Sequence, residues 1–200
     1  DAEIDPLAFN MPPSAKHLLG GDDVGRDVLS RLLYGGRVSL AVGIFSTAVS
    51  VIVGIPLGML AAFYRGAFEV VVMRLSDIFM SFPSTILILF LVSMFGPSII
   101  TVTVVIGVLG WPKFARQIYG SVLSIREKDY IEGAVAIGAK DKLIITRYIL
   151  PNAVAPIFIS ITFRIASAII LESSLSFLGM GVQPPAASWG NMLNEDSDRK

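Results

Sequence analysis

Between Arg37 and Arg65 the chain carries no charge, so Val38 to Tyr64 forms an apolar run of 27 residues. About 20 suffice to cross a bilayer as a helix, and this run predicts a first span. A second uncharged stretch, Ile78 to Pro112, is 35 residues long and is cut by Gly96-Pro97-Ser98. That is too long for one crossing. It predicts two spans joined by a tight turn, one ending near Phe95 and the next running from about Ile99 to Trp111 and beyond. A fourth apolar segment follows Leu150-Pro151-Asn152 and reaches Phe177, interrupted by Arg164 and Glu172. Pro56 and Pro83 are expected to kink their spans, and Trp111 and Trp189 to anchor span ends in the interface. Arg74 and Asp77, at i and i+3, read as a local ion pair. Ahead of the first span, Arg26 to Tyr34 puts Val28, Leu29, Leu32 and Leu33 on one helical side and Asp27 and Arg31 on the other. This is either a short interfacial helix or a packed turn.

Composition agrees with a membrane protein. Hydrophobic residues make up 54% of the 200 and charged residues only 16%, against about 25% in soluble domains. Sixteen Lys and Arg cancel sixteen Asp and Glu, so net charge gives no reason to expect a nucleic-acid partner. With no cysteine and a single histidine, His17, disulfides and thiolate metal sites are excluded and a histidine metal centre is disfavoured. The acidic start at Asp1 lacks the pattern of a signal peptide and reads as part of a longer chain.

The placement of charge is more informative than its sum. Arg65 and Arg74 after the first span, with Lys113, Arg116, Arg126, Lys128, Lys140, Lys142 and Arg147 between the third and fourth, put nine basic residues on one side. Lys16, Arg26, Arg31, Arg37, Arg199 and Lys200 put six on the other. Enrichment of Lys and Arg on the cytoplasmic side places residues 111–151 there and both ends of the chain outside.

That 111–151 segment is far longer than the roughly 2–8 residues a helix connection needs. Asp129 and Glu132 have the spacing of a capping box, which predicts a short helix from near Tyr130 with Ile131, Ala134, Val135 and Gly138 on one face. Its small residues, Gly133, Ala134, Ala136, Gly138 and Ala139, permit close approach of another surface. Gly138 suits its end, and Pro151 suits the first turn of the fourth span. The helix is either a dock for a soluble partner or an interfacial helix on lipid. Arg164 lies twelve residues past Asn152, about 18 Å along a helix, and so near mid-membrane. It either faces a translocation path, where it attracts a carboxylate, or pairs with an acid on a partner subunit. Glu172, about 80° further round, is not its obvious partner.

The stretch Glu132-Gly133-Ala134-(three residues)-Gly138-(nine residues)-Tyr148-Ile149-Leu150-Pro151 resembles the EAA loop of ABC-importer permeases, E-A-A-x3-G-x9-I-x-L-P. Gly133 and Tyr148 replace the usual Ala and Ile. His17-Leu18-Leu19-Gly20-Gly21-Asp22 through Gly25-Arg26-Asp27-Val28-Leu29-Ser30-Arg31 and Tyr34-Gly35-Gly36-Arg37-Val38-Ser39-Leu40 is similar to a stretch of dipeptide, oligopeptide and nickel importer permeases, with Gly21 in place of Thr. Leu175-Ser176-Phe177-Leu178-Gly179-Met180-Gly181-Val182-Gln183-Pro184-Pro185 and Ser188-Trp189-Gly190-Asn191-Met192-Leu193 resembles the C-type subunit of that group.

The resemblance, from about Lys16 to Leu193, implies an all-α type I ABC-importer permease (MetI-like) bundle with four of six spans present. It divides the chain into an extracytoplasmic segment 1–37, a transmembrane permease domain 38–193 containing the coupling loop 111–151, and a polar tail 194–200. It implies a multi-pass location in a bacterial or archaeal cytoplasmic membrane. The implied partners are a second permease subunit, two cytoplasmic ATP-binding subunits and an extracytoplasmic solute-binding protein, besides lipid. ATP and Mg belong to the ATPase subunits, since the chain has no phosphate loop. The residues implied to couple to the ATPase are Glu132, Gly133, Ala134, Gly138, Leu150 and Pro151, with Glu132 acting as a cap or as an ion-pair partner for an ATPase arginine. Substrates of such permeases include dipeptides, longer peptides, nickel chelates, glutathione and certain oligosaccharides. The alternative is a stand-alone channel or ion-coupled transporter built on Arg164 and Glu172.

Overall fold

The computed structural model describes residue 5, residues 8–183 and residues 186–197. Helix α1 (Val28–Tyr64) has 37 residues, about 55 Å at 1.5 Å per residue, so its first turns stand beyond a hydrocarbon core of about 30 Å. Asp27 caps it by accepting the Ser30 N–H at 2.8 Å. After a left-handed Arg65 (φ 55°) comes α2 (Gly66–Ser81) and, past Phe82-Pro83, α3 (Ser84–Phe95), bent by 88° from α2. Gly96, with φ 88°, turns the chain into α4 (Ile99–Arg126), which Ser98 caps by accepting the Thr101 N–H at 3.0 Å. A short α5 (Asp129–Ala136) follows. Then α6 (Asp141–Leu143), a π-helical stretch (Ile144–Ile149) and α7 (Leu150–Phe177) run as one continuous helix. The last helix is α8 (Trp189–Ser197).

On α1, small residues face the bundle, while bulky ones face outward. On α1 the buried stripe is Ser39, Gly43, Ser46, Ser50, Gly54 and Gly58, whereas Ile44, Phe45 and Ile52 are exposed. Such a distribution suits lipid, in which close backbone approach rather than burial of large side chains drives helix association. Helix α4 lies along this stripe. A Cβ on Gly54 would come 2.6 Å from the Trp111 carbonyl oxygen, and one on Gly58 would fall on that of Ala115. The Ser50 hydroxyl donates to the Gly107 carbonyl at 2.7 Å. The Gly54-x-x-x-Gly58 spacing was available in the sequence as the cue for this contact.

Among the described residues three helices are long and apolar enough to span, and the bent α2–α3 pair counts as a fourth if taken as one span. Several expectations are corrected. The amphipathic turn Arg26–Tyr34 is the beginning of α1 rather than a separate interfacial helix, so a boundary at residue 37 falls inside a helix. The segment 111–151 is mostly not a loop, because α4 runs fifteen residues past Trp111 to Arg126. Trp111 therefore sits near the middle of α4, buried against Ala61, Val72 and Ala115 and edge-on to Phe79, not at a span end. Pro83 breaks its helix outright. Residues 194–197 belong to α8 rather than to a polar tail. Residues 1–4, 6–7 and 198–200, and Pro184-Pro185 of the third matched stretch, lie outside the described residues.

Candidate coupling and translocation sites

At one end of the bundle, α5 is seated on the core by two side chains. Ile131 and Ala134 are buried with Phe114, Ile118 and Val122 of α4 and with Ile144 and Ile149 of the π-helical stretch. That seating orients the rest of the helix. Glu132, Gly133 and Ala136 face away from the core, and Ile137, just beyond, is 86% exposed. A Cβ on Gly133 would meet nothing within 4 Å. Ala134, expected on the docking face, instead fastens α5 to the bundle.

The ends of α5 differ from the expected caps in one respect. Its N-cap is Lys128, with no side-chain capping bond, and Asp129 and Glu132 lie in the first turn, where their charges complement the helix dipole. The capping box is not formed, leaving the Glu132 carboxylate turned outward. At the other end Gly138 adopts φ +78°. The Ala139 N–H bonds the Ala134 carbonyl at 3.0 Å and the Gly138 N–H that of Val135 at 2.9 Å, the paired bonds of a Schellman motif.

Leu150 and Pro151 open α7, but as a continuation of the π-helical stretch rather than as a fresh helix start. The Leu150 N–H reaches back to the Ile145 carbonyl. Pro151 has no N–H to offer the Arg147 carbonyl, and the Asn152 side chain bonds the Tyr148 carbonyl at 2.7 Å. The base of α4 is tied to the end of α1 by Arg126, which donates to the Ala62 carbonyl at 3.3 Å and lies over the Phe63 ring. Asp77 bridges Arg116 and, at 3.6 Å, Arg74, and the Tyr119 hydroxyl donates to Glu69.

Arg164 and Glu172 do not meet. Arg164 Nη2 donates to the Ile106 carbonyl of α4 at 2.8 Å, and its Nε is buried without an acceptor. Glu172 is fully buried. It accepts the Ser39 hydroxyl at 2.8 Å and the Ser176 hydroxyl at 2.7 Å. Ser176 Oγ in turn accepts the Val182 N–H at 3.1 Å. Glu172 thus ties α1 to the segment that returns after α7. Gly181 and Gly190 let that segment lie against Ser173 and Ser176, and the Trp189 indole donates to the Leu32 carbonyl at 3.0 Å.

The opposite end holds an ion cluster that sequence reasoning missed. Asp22 Oδ1 accepts the N–H groups of Val24 and Arg26 at 2.9 and 2.8 Å, and its Oδ2 accepts Arg26 Nε and Arg31 Nη1 at 2.7 and 2.9 Å. Arg31 also grips Glu195 of α8 through both terminal nitrogens, at 2.6 and 3.0 Å. The matched stretch from Gly20 to Arg31 thus folds into a clamp on α8. No local signal joins Arg31 to a carboxylate 164 positions away.

Burial opposes the charged form of Asp22, but the Arg26 and Val24 N–H groups and the Arg26 side chain outweigh it and hold its pKa below the ordinary 3.8. Burial likewise opposes Glu195, and Arg31 and Arg26 outweigh it to hold its pKa below 4.5. Groups with depressed folded-state values stabilise fully above their unfolded pKa and lose that contribution as pH falls through the folded value. Amide exchange in α8 is therefore expected to be slow and pH-independent, after correction for intrinsic rates, down to 4.5, and to accelerate below it. Glu195→Gln should show the faster exchange at neutral pH already. Identical exchange in both proteins at pH 7 would dismiss the clamp.

A bundle of long apolar helices with an apolar exterior and an outward helix at one end is that of a multi-pass membrane protein. Residues 54–197 match the family described as binding-protein-dependent transport system inner membrane component, and the chain belongs to that family. The chain is 43% identical over 197 residues to the glutathione transport system permease protein GsiD of Pectobacterium atrosepticum, covering 98% of this chain and 65% of that protein. It is 39% identical over 194 residues to the dipeptide transport system permease protein DppC of Alkalihalophilus pseudofirmus, covering 97% and 64%. The chain thus spans just under two thirds of the length of these relatives. Inward-facing structures of the MetNI methionine ABC transporter superpose with a TM-score of 0.70 at 21% identity, over 85% of this chain and 82% of that one. That likeness shows the MetI-like fold.

Proposed function

We propose that this chain forms part of one permease subunit of an ATP-driven importer in the bacterial cytoplasmic membrane, supplying half of a path for peptides or related small solutes. The observation that carries the reading is α5, rigidly seated by Ile131 and Ala134 while Glu132, Gly133 and Ile137 point away from the bundle. An apolar residue as exposed as Ile137, on an element so firmly held, suits a docking knob for a soluble subunit. Motion of such a partner passes through Ile131 and Ala134 into α4 and, by Ile144 and Ile149 of the π-helical stretch, into α7, a rigid-body route. Names of relatives support a peptide-like cargo, including glutathione and dipeptide transport systems.

In this reading the partners are a second permease subunit, two ATP-binding subunits that hold ATP and Mg, and an extracytoplasmic binding protein. Glu132 serves as an ion-pair partner for a basic residue of the ATPase. The alternative of an ion-coupled transporter built on Arg164 and Glu172 has less support, since Glu172 is engaged by Ser39 and Ser176 and is remote from Arg164 in bonding.

Gly133→Leu is the direct test. The site is open, so stability should change by no more than about 1 kcal/mol, in the range of surface substitutions and helix propensity. Copurification with the ATPase subunits and stimulated ATP hydrolysis should both be lost. Flux by the permeases alone, without ATPase subunits, would favour the ion-coupled alternative.

A further inference from the structure

Helices α4 and α7 each have 28 residues, and they run antiparallel. Arg164 bonds the carbonyl of Ile106, while Pro156, earlier on α7, accepts from Gln117, later on α4, at 3.5 Å. Lys113 lies fourteen residues after Ile99, and Arg164 fourteen after Leu150. Each is about 21 Å along its helix and so close to its midpoint. Their positions along α4 are close in register. A Cβ on Gly110 would come 2.6 Å from Arg164 Nη2, and Lys113 follows Gly110 by less than one turn, about 4.5 Å of rise. Lys113, Gln117 and the Ile106–Gly110 segment share one side of α4 at 100° per residue.

Lys113 is exposed and forms no ion pair or hydrogen bond with the described residues. Arg164 meets no carboxylate within 4.0 Å among them, and its Nε has no acceptor. A bare cation within the apolar depth of the spans is costly against lipid, so this face of α4 is turned to water or to a protein group. Two cations within about a turn of one another repel while nothing lies between them, and an anion entering there is attracted by both. Gly110 permits the arrangement, since any side chain there would displace the guanidinium.

We propose that Lys113 and Arg164, flanked by Gln117, form a subsite within the membrane-spanning region for a carboxylate of the transported solute. The proposal rests on the reading of the chain as half of a translocation path. Glu172 takes no part, being sealed between α1 and α7.

The test uses the full-length permease with its partner subunits in proteoliposomes, with the binding protein saturated by a tripeptide or by its C-terminal amide. Binding-protein affinity for each peptide is measured separately. Neutralising one cation removes a charge-assisted contact, so Lys113→Gln and Arg164→Gln should each lower the free-acid to amide uptake ratio by about tenfold. Lys113→Arg, which keeps the charge, should retain the wild-type ratio. An unchanged ratio in the two neutral variants, with both peptides slowed equally, would overturn the subsite and point to acids on the partner permease. ATP-independent uptake by the wild type is a different failure. It would remove the importer reading, and the subsite with it.

Discussion

Gly58→Ala is expected to destabilise the bundle, whereas Gly120→Ala, the same substitution on α4, is expected to stabilise it. At Gly120 an added Cβ meets nothing within 4 Å, so the change gains helix propensity, up to about 1 kcal/mol. At Gly58 the new methyl falls on the Ala115 carbonyl oxygen and 2.5 Å from Ile118 Cγ2. A carbonyl oxygen within a helix cannot rotate away, so α4 as a whole must retreat, and the loosened contact extends to Gly54 and Ser50. Overpacking of this kind costs about 1–3 kcal/mol. Gly58→Leu adds three more carbons to the same space and should prevent recovery of folded permease. Denaturation of the detergent-solubilised protein measures the sign at each site. Equal stabilisation by the two alanine substitutions would show that α1 and α4 are not held together by backbone approach.

Three of the four expected spans were legible because lipid imposes long uncharged runs, whereas the one ending near Phe95 is broken at Phe82-Pro83 into α2 and the 12-residue α3; Gly96-Pro97-Ser98 was legible as a turn because glycine takes the positive φ and serine caps the next helix. The end of α4 was not. Lys113, Arg116 and Arg126 read as loop charges, yet the helix carries them. Arg116 pairs with Asp77, Arg126 caps the Ala62 carbonyl at the end of α1, and Lys113 is exposed. Charge in a sequence does not by itself mark where a helix stops.

The candidate site divides in the same way. The spacing of Glu132, Gly133 and Gly138 marked out α5, and the positive φ of Gly138 agrees with its expected place at the helix end. Which face would be outward was decided by contacts with Phe114 and Ile144, distant in sequence, and these turn Ala134 inward. Arg164 could be placed at depth by counting residues, but its seat against Gly110 depends on the register of α4 against α7, which no single-helix pattern encodes. Asp22, Arg31 and Glu195 lay hidden for the same reason.

Gly138→Leu is expected to abolish transport and stimulated ATP hydrolysis while leaving the permease inserted. The φ of +78° at this position costs a non-glycine L-residue about 1–2 kcal/mol. No neighbour within 4 Å obstructs the side chain itself, so strain is the only penalty within the chain. It is relieved most easily by opening the two bonds that close α5, from Ala139 to Ala134 and from Gly138 to Val135. Opening them shifts Ile137 off the outward face while Ile131 stays anchored, so the dock is lost before the bundle is. Asparagine tolerates the left-handed conformation better than leucine does, and Gly138→Asn should therefore keep much of the coupling. Loss in both variants would locate the requirement in the open space around Gly138 instead of its backbone angle. Normal transport by the leucine variant would remove α5 as the docking element.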